Sequence, residues 1–194
     1  MLRTNVLLVG LLLFLSTPAP AESAPDPWSF FQKLLEEAGM DYERPPGYAE
    51  LEPVPNEVLA YPYRVKNEAT GVEIRYLVIP IRRIQIDYDD PHASAPEPDH
   101  IFSLLFPSLL TQLAADGRYR EKEYPGQEAR RLFNAEWAAA GVFTPNPRFA
   151  PYAHGLMVAM HRIGRADAFE IFLANDLEAL KDAVLKHQSS LRFR

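Results

Sequence analysis

The chain has 194 residues, a formal net charge of −6, eighteen prolines and no cysteine. A mildly acidic chain without a basic run lacks the electrostatic footprint of a nucleic-acid binder. The missing cysteine removes disulfides, thiol chemistry and thiolate metal sites together, so stability has to come from packing.

The first stretch, "MLRTNVLLVGLLLFLSTPAPAES", carries one basic residue, Arg3, an apolar run over residues 6–15 and small residues ending at Ala21. That layout predicts a secretory signal peptide over residues 1–21. The run falls short of the roughly 20 apolar residues that span a bilayer, so no stable membrane insertion is expected after cleavage; an uncleaved anchor is the alternative. Residues 22–194 then form one domain with its own core.

Asp26 and Pro27 supply the cap and first position of a helix over residues 27–38, stopped by Gly39. Trp28, Phe31, Leu34, Leu35 and Ala38 share one face, opposite Gln32, Lys33, Glu36 and Glu37. Residues 59–66 and 72–86 read as two strands around a turn at 67–71, with Pro80 marking the end of pairing, a bulge or an edge. Glu73 and Arg75 lie on one strand face with Leu77, and Tyr76 on the other. The charged pair fits either a polar cleft or a solvated sheet end, and the strand patterning favours the sheet end.

The stretch "DYDDPHASAPEPDH", residues 87–100, gathers five acids and two histidines. An EF-hand loop counted from Asp87 would need Gly and Glu where His92 and Pro98 stand, and no H-E-x-x-H spacing occurs. It reads as a strand-to-helix loop ending in Asp99 as a helix cap. Asp87, Asp89, Asp90, His92 and His100 are the metal-ligand candidates of the chain, without a motif, and no cofactor is predicted.

A helix then runs from Asp99 to near Gly117, kinked or split by Pro107. "RYREKEYPGQEARR" reads as a solvated connection, followed by a short helix to about Phe133 and a strand over residues 137–144. Residues 154–162 and 168–173 form a hairpin around a Gly-containing turn at 163–167. On such a strand His154 and His161 face opposite ways and cannot be co-ligands, whereas Asp167 lies across the turn from His161. An amphipathic helix with Leu177, Leu180 and Val184 along its faces precedes a short tail.

Neither a G-x-S-x-G elbow nor a phosphate-cradling glycine loop is present. A carboxylate pair for glycoside hydrolysis stays open, because its separation is set in space. Without a nucleophile motif, His161 and Asp167 read as a structural pair ahead of a catalytic one.

"VEIRYLVIPI", "LFNAEWAAAGVF" and "MHRIGRADAFEIFLAND" together resemble a group of uncharacterised exported bacterial proteins with an E-x-R-Y strand, an F-N-A-[DE]-W segment and a His-Lys/Arg followed by A-D-A. The order of hairpin, helix, strands and closing helix ending in "SSLRF" is similar to the PsbP-like fold. That resemblance implies an antiparallel sheet flanked by helices and an accessory or partner-binding role, by analogy alone. The motif match singles out Glu73, Glu136, His161 and Asp167 as catalytic candidates, and Arg75, Asn134 and Trp137 as ligand-binding candidates. The expectation is an exported, periplasmic or secreted, single-domain α+β protein. It binds an envelope or secreted protein, or a small ligand, without catalysis; the alternative is a hydrolase with a carboxylate and histidine cleft, with or without a metal.

Overall fold

The Asp26 carboxylate accepts from Ser29 N at 3.0 Å, and Pro27 fills the first helical position of α1 (Pro27–Ala38). Orphan amide donors are thereby satisfied where the helix starts. Gly39, at φ 65°, ends it in the left-handed conformation that a Cβ disfavours. The computed structural model describes residues 26–84 and 97–194. The expected signal peptide, and the candidates Asp87, Asp89, Asp90 and His92, lie outside the described residues.

After the short strands β1 (Met40–Tyr42) and β2 (Ala49–Leu51), the chain forms the hairpin β3 (Tyr63–Asn67) and β4 (Val72–Pro80). Then come α2 (Pro98–Leu113), β5 (Ala114–Glu123), α3 (Gly126–Phe133), β6 (Trp137–Pro145), β7 (His154–Arg162), β8 (Ala166–Ala174), α4 (Leu177–His187) and β9 (Leu191–Phe193). Seven strands pair antiparallel in the order β2-β3-β4-β8-β7-β6-β5, and β1 pairs with β9 in a second, two-stranded sheet. The chain is thus an α+β protein with an antiparallel sheet flanked by helices, as expected.

Side chains alternate across the large sheet and sort the core into two layers. Tyr76, Met160, Ala168 and Phe172 face α1, α3 and α4, which bury Phe31, Leu34, Ala129, Phe133, Leu180 and Ala183 against them. Phe31 stacks on Tyr63 with ring centroids 4.7 Å apart. On the opposite face, Leu77, Met157, Phe169 and Ile171 meet α2 through Phe102, Phe106, Leu110 and Leu113. Every residue of β8 is buried, which is why its sequence reads as one continuous apolar run broken only by Asp167 and Glu170. Gly141 of β6 lies under α2, where a Cβ would stand 2.5 Å from Leu110 Cδ1. A glycine there lets the helix approach the sheet.

Several elements differ from the sequence reading. β4 stops short of residue 86: pairing ends at Pro80, opposite Ala166, the first of the three roles expected of that proline, and a 3-10 turn, Ile81–Arg83, follows. α2 passes through Pro107 as one 16-residue helix. Its buried residues on both sides of the proline hold the two halves against the sheet, outweighing one lost backbone donor. Asp99 is not the cap: the helix begins one residue earlier, at Pro98, with Glu97 as N-cap. The "RYREKE" stretch is not a connection but the outer strand β5, paired with β6 over Tyr119–Glu123. Charged residues suit an outer strand because they oppose pairing with another chain. The closing tail is likewise a strand, β9.

Candidate functional site

The turn between β7 and β8 sets the geometry. Arg165 N donates to Arg162 O at 2.9 Å, Gly164 adopts φ 67°, and the hairpin places His161 directly opposite Asp167. His161 Nδ1 lies 2.7 Å from Asp167 Oδ1, with the histidine 7% exposed and the aspartate 0%. Burial pushes the Asp167 carboxyl above the usual aspartate range, while its contact with His161 pulls the other way. A carboxylate acceptor at Nδ1 puts the proton of a neutral imidazole on that atom and leaves the Nε2 lone pair free.

Nε2 opens towards α2. Among the described residues, Asp99 Oδ1 lies 3.9 Å from it, beyond hydrogen-bond reach. Asp99 Oδ1 also accepts from Gly164 N at 2.8 Å, tying the first turn of α2 to the hairpin turn. The Phe102 ring stacks on His161 with centroids 5.1 Å apart, and packs edge-on against Trp137 at 4.6 Å. Trp137 stands opposite His161 in the β6–β7 register, and Phe106 meets its ring at 5.5 Å.

β5 completes the enclosure. Its alternation sorts charge by sheet face: Tyr119, Glu121 and Glu123, opposite Phe143, Gly141 and Ala139, share the α2 side, whereas Arg120 and Lys122 point to the other. Between α2 and β5 lies a cleft of about 330 Å³, floored by Phe102, Phe106 and Trp137 and rimmed by Asp99, Glu121, Glu123 and His161. Among the described residues no lysine or arginine pairs with those three carboxylates. A larger depression, about 690 Å³, is bordered by Arg120, Val142, His154 and Leu180, and among the described residues no carboxylate lines it.

The structure therefore brings His161, Asp167 and Trp137 together, joins Glu73 to Arg75 elsewhere on the sheet, and gives Glu136 and Asn134 other partners. The Glu136 carboxylate accepts from Ile163 N at 3.1 Å, fixing the hairpin turn. Asn134 is the left-handed C-cap of α3 at φ 53°, and its Nδ2 donates to Phe193 O and Arg194 O at 3.2 and 2.9 Å. His100 is an exposed residue in the first turn of α2, on the margin of the cleft. Among the described residues no group of three histidine or carboxylate side chains converges to hold a metal ion.

Glu73 and Arg75 are not at a solvated sheet end. They are 2% and 4% exposed, and Arg75 Nε donates to Glu73 Oε1 at 2.6 Å. Glu73 Oε2 accepts from Arg64 Nη1 at 3.1 Å and from Tyr152 OH at 3.0 Å. The Arg75 guanidinium sits between the Tyr61 and Phe149 rings, 4.6 Å from each centroid, and donates to Phe149 O at 2.9 Å. This network clamps two non-helical segments onto the sheet. Glu73 pairs with Leu173, six positions along β8 from Asp167, so the two carboxylates share a face about 20 Å apart.

Sequence reasoning missed Asp99 as the tie to the hairpin, Phe102 and Phe106 as the floor, and the carboxylates of Glu121 and Glu123. The period-two sorting of "RYREKE" was the available signal for the last two. Glu170 was missed as well: it is fully buried on the opposite face, and its Oε1 accepts from Ser190 Oγ at 2.7 Å and Leu191 N at 2.8 Å.

No family model and no curated protein matches the chain. Among solved structures, the chain is similar to cyanobacterial PsbP (CyanoP) from Synechocystis sp. PCC 6803, with 10% sequence identity, 81% of this chain and 88% of that chain covered, and a TM-score of 0.42.

Proposed function

We propose that the chain is an exported accessory domain that binds an envelope protein or a small ligand in the cleft between α2 and β5, without catalysis. The observation that carries this reading is the enclosure itself: an aromatic floor beneath a buried histidine whose Nε2 has no hydrogen-bond partner among the described residues. Pockets of roughly 300 Å³ and above, mostly apolar with a few placed polar groups, are the usual form of ligand sites. Two side chains near the cleft that catalysis could recruit beside His161 are engaged elsewhere. Glu136 holds the turn, and Ser103 Oγ, on the cleft wall, donates to His100 O at 2.9 Å along its own helix.

One observation favours the hydrolytic alternative, namely that His161 is oriented by Asp167 as a general base would be. Two arms separate the readings. A photo-crosslinking side chain placed at Ser103 in cells should give adducts that the same group at Leu185, on exposed α4, does not. Equal adducts, or none from Ser103, would refute a binding cleft. Turnover of ester or glycoside substrates that vanishes in His161→Asn would instead establish the hydrolase. Export is tested by fractionation, with a mature N-terminus at residue 22 outside the cytoplasm as the expected result.

A further inference from the structure

Resting on the reading of this cleft as a binding site, we propose that its ligand is an organic cation: an ammonium or guanidinium group on a short apolar stem. The rim presents acceptors. Asp99, Glu121 and Glu123 bring three carboxylates, and among the described residues no lysine or arginine lines the cleft. The second, independent observation is His161, which is more than nine-tenths buried, lines the same cavity, and leaves Nε2 unpartnered among the described residues. In the tautomer that donates Nδ1–H to Asp167, Nε2 is an acceptor, the complement of an N–H donor.

The floor has the matching chemistry. Trp137 is the half-buried ring of the floor, backed by the buried Phe102 and Phe106; an aromatic ring attracts ammonium and guanidinium groups to its face, and the apolar floor shelters a methylene stem. Among the described residues the carboxylates line separate walls and do not converge as ligands for a bare metal ion. An anion would meet three carboxylates at the rim. A neutral apolar ligand would leave Nε2 and the rim without donors, at a desolvation cost. Glu121 and Glu123 are themselves exposed, so an arriving cation meets them at the rim without their first being buried.

The charge sorting of β5 is what a cation site needs from an outer strand. Had the period slipped by one residue, Arg120 and Lys122 would face the cleft and repel such a ligand.

The test uses the full mature chain with Trp28→Phe, which leaves Trp137 as the single tryptophan reporter. The probes are spermidine, a capped tripeptide with central lysine or arginine, the same peptide with glutamine, and propionate. Saturable change in Trp137 fluorescence is expected with spermidine or the basic peptides, and the probe that acts identifies a free amine or a side chain as the source. Glutamine peptide and propionate should leave the signal unchanged. Glu121→Gln with Glu123→Gln, on an exposed strand face where folding does not depend on them, should weaken binding about tenfold by removing partly screened attractions, and added salt should do likewise.

Binding that ignores both substitutions, or no response to any cation, overturns the inference. If the glutamine peptide or propionate binds and the cations do not, the cleft stands as a binding site and its cation chemistry falls. If Ser103 crosslinking fails as well, the binding reading itself falls.

Discussion

Replacing Glu73 with leucine should cost about 3–5 kcal/mol, the range for removing one partner of a buried ion pair. The structure supports the upper part of the effect. The Arg75 side chain is 5% exposed and sits between two rings, so its charge would be left buried without a counterion. Tyr152 would also lose its acceptor, for about 1 kcal/mol more, whereas Arg64, at 16% exposure, can turn towards solvent. Adding Arg75→Met should recover most of the loss, since an apolar pair of similar volume replaces a buried ion pair at little net cost. Urea unfolding at pH 7 reads both variants, and a loss of this size is a large share of a domain's 5–15 kcal/mol, or roughly that. If Glu73→Leu loses less than about 1 kcal/mol, or the two substitutions simply add, the network is not the clamp described.

Glu170 should make stability depend on pH. Burial raises its carboxyl well above the usual glutamate range, so the native state keeps a proton that the unfolded chain releases, and stability is full below the unfolded pKa and falls as pH rises towards the folded one. Urea midpoints taken from pH 4 upwards should decline in the wild type, by up to about 1.4 kcal/mol per pH unit, and decline less in Glu170→Gln; parallel curves would disprove it. Gly141→Ala should cost about 1–3 kcal/mol by overpacking, because its Cβ would meet Leu110 at 2.5 Å. In a Leu110→Ala background that penalty should disappear, and an unchanged penalty in thermal melts would show that α2 is not held off by this contact.

Local order in the chain decided what could be read from it. α1 is legible to the residue, because Asp26, Pro27 and Gly39 each act within one turn of the boundary they set. The pairing of His161 with Asp167 is legible for the same reason, since a tight glycine turn fixes which residues face each other. Pro107 misled because a local rule was outweighed by contacts of Phe102, Phe106 and Leu110 with strands far along the chain. β5 misled because its charged alternation is common to solvated loops and outer strands alike. Only its partner β6 distinguishes them.

Glu73 with Arg75 and His161 with Asp167 are two polar systems on one face of one sheet, at opposite ends of β8. Sequence motifs alone ranked them together, and their hydrogen bonding separates them. In the first, both Glu73 oxygens are engaged and the guanidinium is bonded and sandwiched, so a ligand would have to break existing contacts to enter. In the second, one ring nitrogen is fixed by a buried carboxylate and the other faces a cleft with aromatic and acidic walls. A buried polar group with its partners supplied is a means of holding a fold. One whose second valence opens into a cavity is poised for a visitor. That difference, rather than charge or motif, is why the cleft beside the β7–β8 turn, and not the Glu73–Arg75 network, is the place we propose for a ligand.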